Sequence, residues 1–369
     1  MNSNPARSMQ PIPPAKWMQE LPMFVPGRRL VDIIMPGTHD AGSYAITPKS
    51  EPSEDASTVM KIGGFMGSAA VQFWSQSQSC NLATQFAQGV RYFDLRVWRK
   101  ILANGQKEFW LYHTFLSAPL RAELSQLKTQ LTQSGKEIVI LDVSLSGVNL
   151  TGEDHQALLK ELQTLPPIAT TSLGPTSIVQ QFWDAGTNVI VLYKDAWNNL
   201  GPDAATHVWD RVANLRSKWF NRQKFDDLHD DLIAELQQQP VGQPSQQLWV
   251  AQAVLTPDTD MIAKGVLGTG YYKSLAQIAH DINPKVAELI DKVVGGHLAG
   301  HRPNIVMVDF FDVGGNRGSL HPRKRTMKGG VLCHGSLAAP MAVRAARLLS
   351  PSGCFDTCQP ERLRHCLSG

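Results

Sequence analysis

A chain of 369 residues that is 43% hydrophobic has ample material for a large buried core, and its length suits one large α/β barrel or two ordinary domains. Its formal charge of +3 is small and no long Lys/Arg run crosses the body, which argues against a nucleic-acid partner and fits contact with an anionic lipid surface only weakly. The longest apolar windows are strand-length, well short of the roughly twenty residues a membrane-spanning helix needs, so a peripheral or soluble protein is expected.

Met1 to Met23 holds Pro5, Pro11, Pro13 and Pro14 but no compact apolar segment of the signal-peptide kind. The compartment stays open: cytoplasmic, exported by another route, or written here in a mature form. Residues 1–24 read as an N-terminal extension, 25–320 as the main domain, and 321–369 as a basic, Cys-containing C-terminal extension. In chain order, strand candidates are Leu30 to Met35, Val90 to Val97, Phe109 to Tyr112, Glu137 to Leu145, Asn188 to Tyr193, Leu248 to Leu255 and Asn304 to Phe310. Between them lie amphipathic stretches: Leu120 to Leu131, Asp154 to Leu165, Asp227 to Gln237, and Pro284 to Val294, the last opened by Asn283-Pro284 as a helix start. Strand and helix in alternation predict a parallel sheet with helices outside. Polar residues gather at the C-terminal ends of the strands, which favours a TIM-like (β/α) barrel, distorted or incompletely closed, over an open doubly wound sheet.

Three of those ends carry the chemistry. Ile33-Ile34-Met35 runs into Pro36-Gly37-Thr38-His39-Asp40; Val90-Arg91-Tyr92-Phe93 runs into Asp94-Leu95-Arg96; and Phe109-Trp110-Leu111-Tyr112 runs into His113. Two histidines suit a general base and a general acid, because imidazole titrates near working pH. An arginine suits a phosphate, whose oxygens match its permanently charged planar fork. Asp94 and Arg96 share one face of a strand by its period of two.

These motifs, with Gln88-Gly89 before the second, resemble in order and spacing the signatures of the phosphatidylinositol-specific phospholipase C family, X-domain type, over roughly residues 25 to 315. The resemblance implies a distorted TIM barrel that cleaves phosphatidylinositol-type lipids to inositol 1,2-cyclic phosphate and diacylglycerol. It implies His39 as base towards the inositol 2-hydroxyl, His113 as acid towards the leaving alkoxide, and Asp309 as the carboxylate orienting His39, with Asp312 competing for that role. Calcium-dependent members carry an acidic ligand where Arg96 stands, so the bacterial-like, metal-independent type is expected, with no cofactor. Asp40 fits as a partner for Arg96 or for the acid. Asp142, Lys194 and Gln252 stand where family members place inositol-binding side chains, although an aspartate would be expected at Gln252 and a nearby tyrosine is lacking. A phosphoinositide substrate, transient membrane contact and a monomer are expected. Two rivals remain: a barrel phosphodiesterase acting on another head group, such as a glycerophosphodiester or sphingolipid, and a catalytically weak phosphoinositide-binding effector module.

Two stretches break the alternation. Pro48 to Cys80 is an insertion carrying Val59, Met60, Ile62, Phe65, Met66, Val71, Phe73 and Trp74, which either dock on a lipid interface or pack over the barrel. Beyond His321 come Arg323-Lys324-Arg325, a predicted helix from Ala338 to Leu349, and four of the five cysteines (Cys333, Cys354, Cys358, Cys366; the other is Cys80). Cys354, Cys358, His365 and Cys366 have ingredients of a zinc site without standard spacing; a disordered tail or a disulfide are the other readings.

Overall fold

The structure, a computed structural model, describes residues 13–20, 25–56, 68–194, 196–238, 245–293 and 303–313. Its strands are β1 (Met35–Thr38), β2 (Tyr92–Ile101), β3 (Lys107–His113), β4 (Phe115–Pro119), β5 (Val139–Ser146), β6 (Val189–Tyr193), β7 (Trp209–Asp210), β8 (Leu215–Ser217), β9 (Leu248–Gln252) and β10 (Ile305–Val308). They form one sheet in the order β7-β6-β5-β2-β1-β10-β9-β8, parallel at every step. Chain neighbours are sheet neighbours and β1 pairs with β10, so the sheet curls almost into a ring. It lacks a ladder between β7 and β8, whose gap the short Arg211–Asn214 helix spans. The result is an incompletely closed (β/α) barrel. β3 and β4 hang from β2 as an antiparallel hairpin outside the ring.

Side-chain alternation sorts the core into two layers. Met35, Tyr92, Ile140, Ile190, Leu192, Leu248, Val250, Ile305 and Met307 belong to one apolar cluster, while their chain neighbours Phe93, Leu141, Val191, Ala251 and Val306 join the other with the helices. The Leu120–Ser134 helix shows the logic: Leu120, Leu124, Leu127 and Leu131 recur on one face and are buried, and Gly135 ends it at φ +75°, where a side chain would be strained.

Trp17 and Met18, within the stretch read as an extension, are buried in the inner cluster. Arg91, fully buried, fixes them there: its guanidinium bonds Glu137 at 2.7 and 3.0 Å, the Pro14 and Ala15 carbonyls at 3.2 and 3.0 Å, and the Phe86 and Val90 carbonyls. Its plane lies over Trp17 and Phe86. Such a charge is tolerable in a core because its donors have partners.

Several predicted elements shift. Leu30 to Met35 is not a strand: Leu30–Asp32 is a 3-10 turn, and the strand begins at Met35 and runs through Pro36-Gly37, the pair read as its end. Pro36 serves the ladder as an acceptor, its carbonyl taking the Arg91 N–H, and a Cβ on Gly37 would stand 3.0 Å from both Tyr92 and Ile305. Asn283-Pro284 lies inside the Leu275–Lys292 helix, which Ser274 caps; Asn283, fully buried, donates to the Asp309 and Phe310 carbonyls. β4, β7 and β8 went unpredicted; β7 and β8, at two and three residues, are too short for a pattern to show. The Ala338 to Leu349 helix and the tail cysteines lie outside the described residues, as do Val59, Met60, Ile62, Phe65 and Met66.

Candidate active site

β1 delivers His39 and Asp40 into the barrel mouth. Asp40 has φ +42°, a conformation uncommon for a residue with a side chain, and it is held there by Asp94, whose carboxylate accepts the Asp40 N–H at 3.2 Å while its carbonyl accepts that of Ala41. The turn aims the Asp40 carboxylate inward. Oδ1 meets Arg96 Nε at 2.6 Å; Oδ2 stands 3.3 Å from His113 Nε2 and 3.4 Å from His39 Nε2. One buried carboxylate thus lies between two imidazoles and a guanidinium.

Arg96 and Asp94 project inward from β2 on the same face. Arg96 Nη2 stands 3.0 Å from His39 Nε2 and 3.6 Å from Asp94. His113 arrives differently: it ends β3, outside the ring, and Thr114 turns sharply after it at φ +66°. Its Nδ1–H donates to the Ser75 carbonyl at 2.8 Å, leaving Nε2 facing the site. The two histidine rings are 6.3 Å apart.

Asp309 follows β10 and bonds His39 Nδ1 at 2.8 Å, whereas Asp312 accepts from Ser79 at 2.6 Å; of the two rival carboxylates, Asp309 meets the ring. Burial lowers the affinity of His39 for a proton, but Asp40 and Asp309 outweigh it and push its pKa up to about 9, against Arg96. Burial likewise disfavours the Asp40 carboxylate, yet Arg96 and the two histidines hold it below the usual carboxylate range. Arg96, flanked by Asp40 and Asp94, binds its proton more firmly than usual despite burial. Because guanidinium can only donate, its contact with Nε2 corresponds to a ring whose Nδ1 carries the proton towards Asp309.

Beside this centre lie two hollows. A polar mouth of about 280 Å³ is lined by Asp94, Arg96, Asp142, Lys194, Arg211 and Gln252, among others. Lys194 is exposed there, while Asp142 is engaged on both oxygens, by Tyr92 Oη at 2.5 Å and Arg211 Nε at 2.6 Å, and Gln252 donates to Ser217 at 2.6 Å. Burial raises the Asp142 pKa although Arg211 and Tyr92 oppose it. Lys194 is thus an exposed cation on the wall of the mouth, while Asp142 and Gln252 are engaged with their neighbours. The second hollow, about 230 Å³, is lined by both histidines, Asp309 and a mainly apolar wall. Trp219 borders both and stacks on His39 at 5.2 Å and 26°.

The chain resembles proteins of one kind in sequence and in fold. It is 26% identical over 311 residues to PI-PLC X domain-containing protein 3 of Danio rerio, covering 81% of this chain and 90% of that protein. It is 26% identical over 333 residues to the variant-surface-glycoprotein phospholipase C of Trypanosoma cruzi, covering 82% and 86%. The phosphatidylinositol-specific phospholipase C of Staphylococcus aureus superposes with a TM-score of 0.57 at 16% identity over 90% of this chain and 97% of that one. That of Listeria monocytogenes superposes with a TM-score of 0.51 at 17% identity, covering 81% and 94%. The chain is similar in sequence to X-domain-containing proteins and a variant-surface-glycoprotein phospholipase C, and in fold to bacterial phosphatidylinositol-specific phospholipases C. No family model matches it.

Among the described residues, His39, Asp40 and Asp94 bring ligand atoms within 4.8 Å of one another, a grouping able to hold a metal ion. Arg96 already contacts all three, so a fixed cation stands among those donors. Sequence reasoning missed Arg211 and Trp219. Arg211 follows a two-residue strand and Trp219 a three-residue one, so neither had a periodic run pointing to it. Within the insertion, Trp74 is half-buried against the core while Phe73 is 53% exposed; one packs and the other faces solvent.

Proposed function

We propose that this protein is a metal-independent phospholipase C-like phosphodiesterase that cleaves phosphatidylinositol-type lipids to inositol 1,2-cyclic phosphate and diacylglycerol. What carries the reading is the Asp40 carboxylate, set between His39, His113 and Arg96 within 3.4 Å of each. The head group sits in the polar mouth with its hydroxyls towards Lys194 and Arg211. His39 Nε2 takes the proton of the 2-hydroxyl, whose oxygen forms the new bond to phosphorus; Asp309 holds the opposite ring nitrogen and stabilises the imidazolium. Intramolecular attack requires no external nucleophile. Arg96 turns its fork from the His39 ring to the phosphate oxygens and neutralises the charge that develops on them. The bond to the glycerol oxygen breaks, and His113 returns a proton there from Nε2, which stands 3.3 Å from Asp40, its ring oriented by the Ser75 carbonyl.

The test is phosphorus NMR of phosphatidylinositol vesicles treated with the protein in chelator, since a cyclic phosphodiester has its own resonance. His39→Ala and His113→Ala are each expected to lose about 10²- to 10⁴-fold in rate. No cyclic product from the unmodified protein would refute the reading, and losses under about tenfold would remove that histidine from it.

A further inference from the structure

Resting on that reading, we infer that the apolar hollow beside the histidines binds the acylated glycerol of the leaving group, so that the protein itself, and not the bilayer alone, holds the lipid's apolar half during cleavage. The two hollows divide the reaction. Arg96, Lys194 and Arg211 line the polar mouth, both histidines line the apolar hollow, and Trp219, stacked on His39, borders the two. A phosphate held by Arg96 therefore has its inositol on one side of Trp219. The oxygen that departs towards His113 carries its substituent to the other side.

The walls match that substituent in shape and chemistry. Val71, Val254, Leu255, Pro257, Ile262 and Leu275 give an apolar lining suited to hydrocarbon and unsuited to a polyhydroxylated ring. At about 230 Å³ the space exceeds the roughly 150 Å³ that accepts benzene, enough for a glycerol and the first carbons of its chains but not for two long chains. Three lining residues, Trp74, Ser77 and Thr256, bury an indole Nε1 or a hydroxyl oxygen with no hydrogen-bond partner among the described residues. An indole N–H can only donate, and a buried donor calls for an acceptor. An acyl ester is an apolar molecule that bears such acceptor oxygens.

The experiment is calorimetric titration with 1,2-dibutyroylglycerol, which is monomeric in water, against glycerol as the unacylated control. Saturable binding at one site is expected for the diester and none for glycerol at the same concentration. Val71→Trp, on the Ser68–Ser75 helix, and Val254→Phe, just after β9, each fill part of the hollow and should each weaken binding about tenfold or more, the scale on which a tight apolar pocket discriminates; melting curves verify folding, and either variant suffices if the other fails to fold. Absent saturation, or unchanged affinity in a folded variant, overturns the assignment. Acylglycerol binding kept in a protein that turns over no inositide supports the hollow and strikes the head-group reading instead.

Discussion

The Asp309–His39 contact predicts where activity begins as pH rises. His39 is buried, and two carboxylates carry its pKa from 6.5 up to about 9. That displacement corresponds to about 3 kcal/mol favouring the protonated ring, at about 1.4 kcal/mol per unit. A base must be neutral to act, so the acid limb of kcat/KM should lie near 9 instead of near 6.5. Asp309→Asn removes one of the two charges while keeping the shape; a carboxylate at this distance is worth about 1 to 3 units, so the limb should move down by that amount. The rate on the plateau should still fall, because an amide no longer stabilises the imidazolium or fixes its tautomer; a loss of about 10²- to 10⁴-fold is expected. Initial rates on a soluble inositol substrate between pH 5 and 10 read both effects. A limb that stays in place in the Asp309→Asn variant would refute the argument, since His39 would then not be the group titrating.

Removing the cation should be more damaging than removing calcium: Arg96→Ala is expected to lose about 10²- to 10³-fold while the parent ignores chelator, and the opposite pattern in a rate assay would return the charge to a metal. Stability should carry the signature of His39 as well: a pKa raised on folding contributes stability that is complete below about 6.5 and lost as pH climbs through about 9. The melting temperature should therefore decline over that window, and less so in His39→Gln. Arg91→Met leaves Glu137 buried with one partner fewer and should cost about 3–5 kcal/mol by chemical denaturation. Phe73, Trp197 and Tyr271, at least half exposed on segments that connect parallel strands, the first two in short helices, should matter on vesicles and not on a soluble substrate; serine at these sites that slows both equally would assign them to folding.

The long strands and the motifs at their ends were legible because period-two alternation and a sudden change from apolar to polar both survive in a bare sequence. β5 and β6 read almost residue for residue, as did His39, Asp94, Arg96 and His113, which the fold brings into one cluster. Elements set by tertiary contact were not legible. Pro36-Gly37 reads locally as a stop, yet it is strand, because a Cβ at Gly37 would be crowded at 3.0 Å by Tyr92 and Ile305 and the ladder uses Pro36 only as an acceptor. Pro284 reads as a start, yet the helix begins nine residues earlier at Leu275. Nothing local marks Trp17 as core or Arg211 as a partner of Asp142, since each depends on a residue far along the chain.

The gap between Trp209–Asp210 and Leu215–Ser217 has a mechanical consequence. A fully laddered barrel has its circumference set by strand number and stagger, and it widens only by breaking hydrogen bonds. A ring interrupted once behaves as a split collar, whose bore changes by flexing at the cut. Arg211 sits at that cut and reaches back to Asp142, two strands away on the same side of it, tying the β7 edge of the split to its own arc of the ring. Breaking that bond would free the β7 edge alone, since the opposite edge is held by its own ladder with β9.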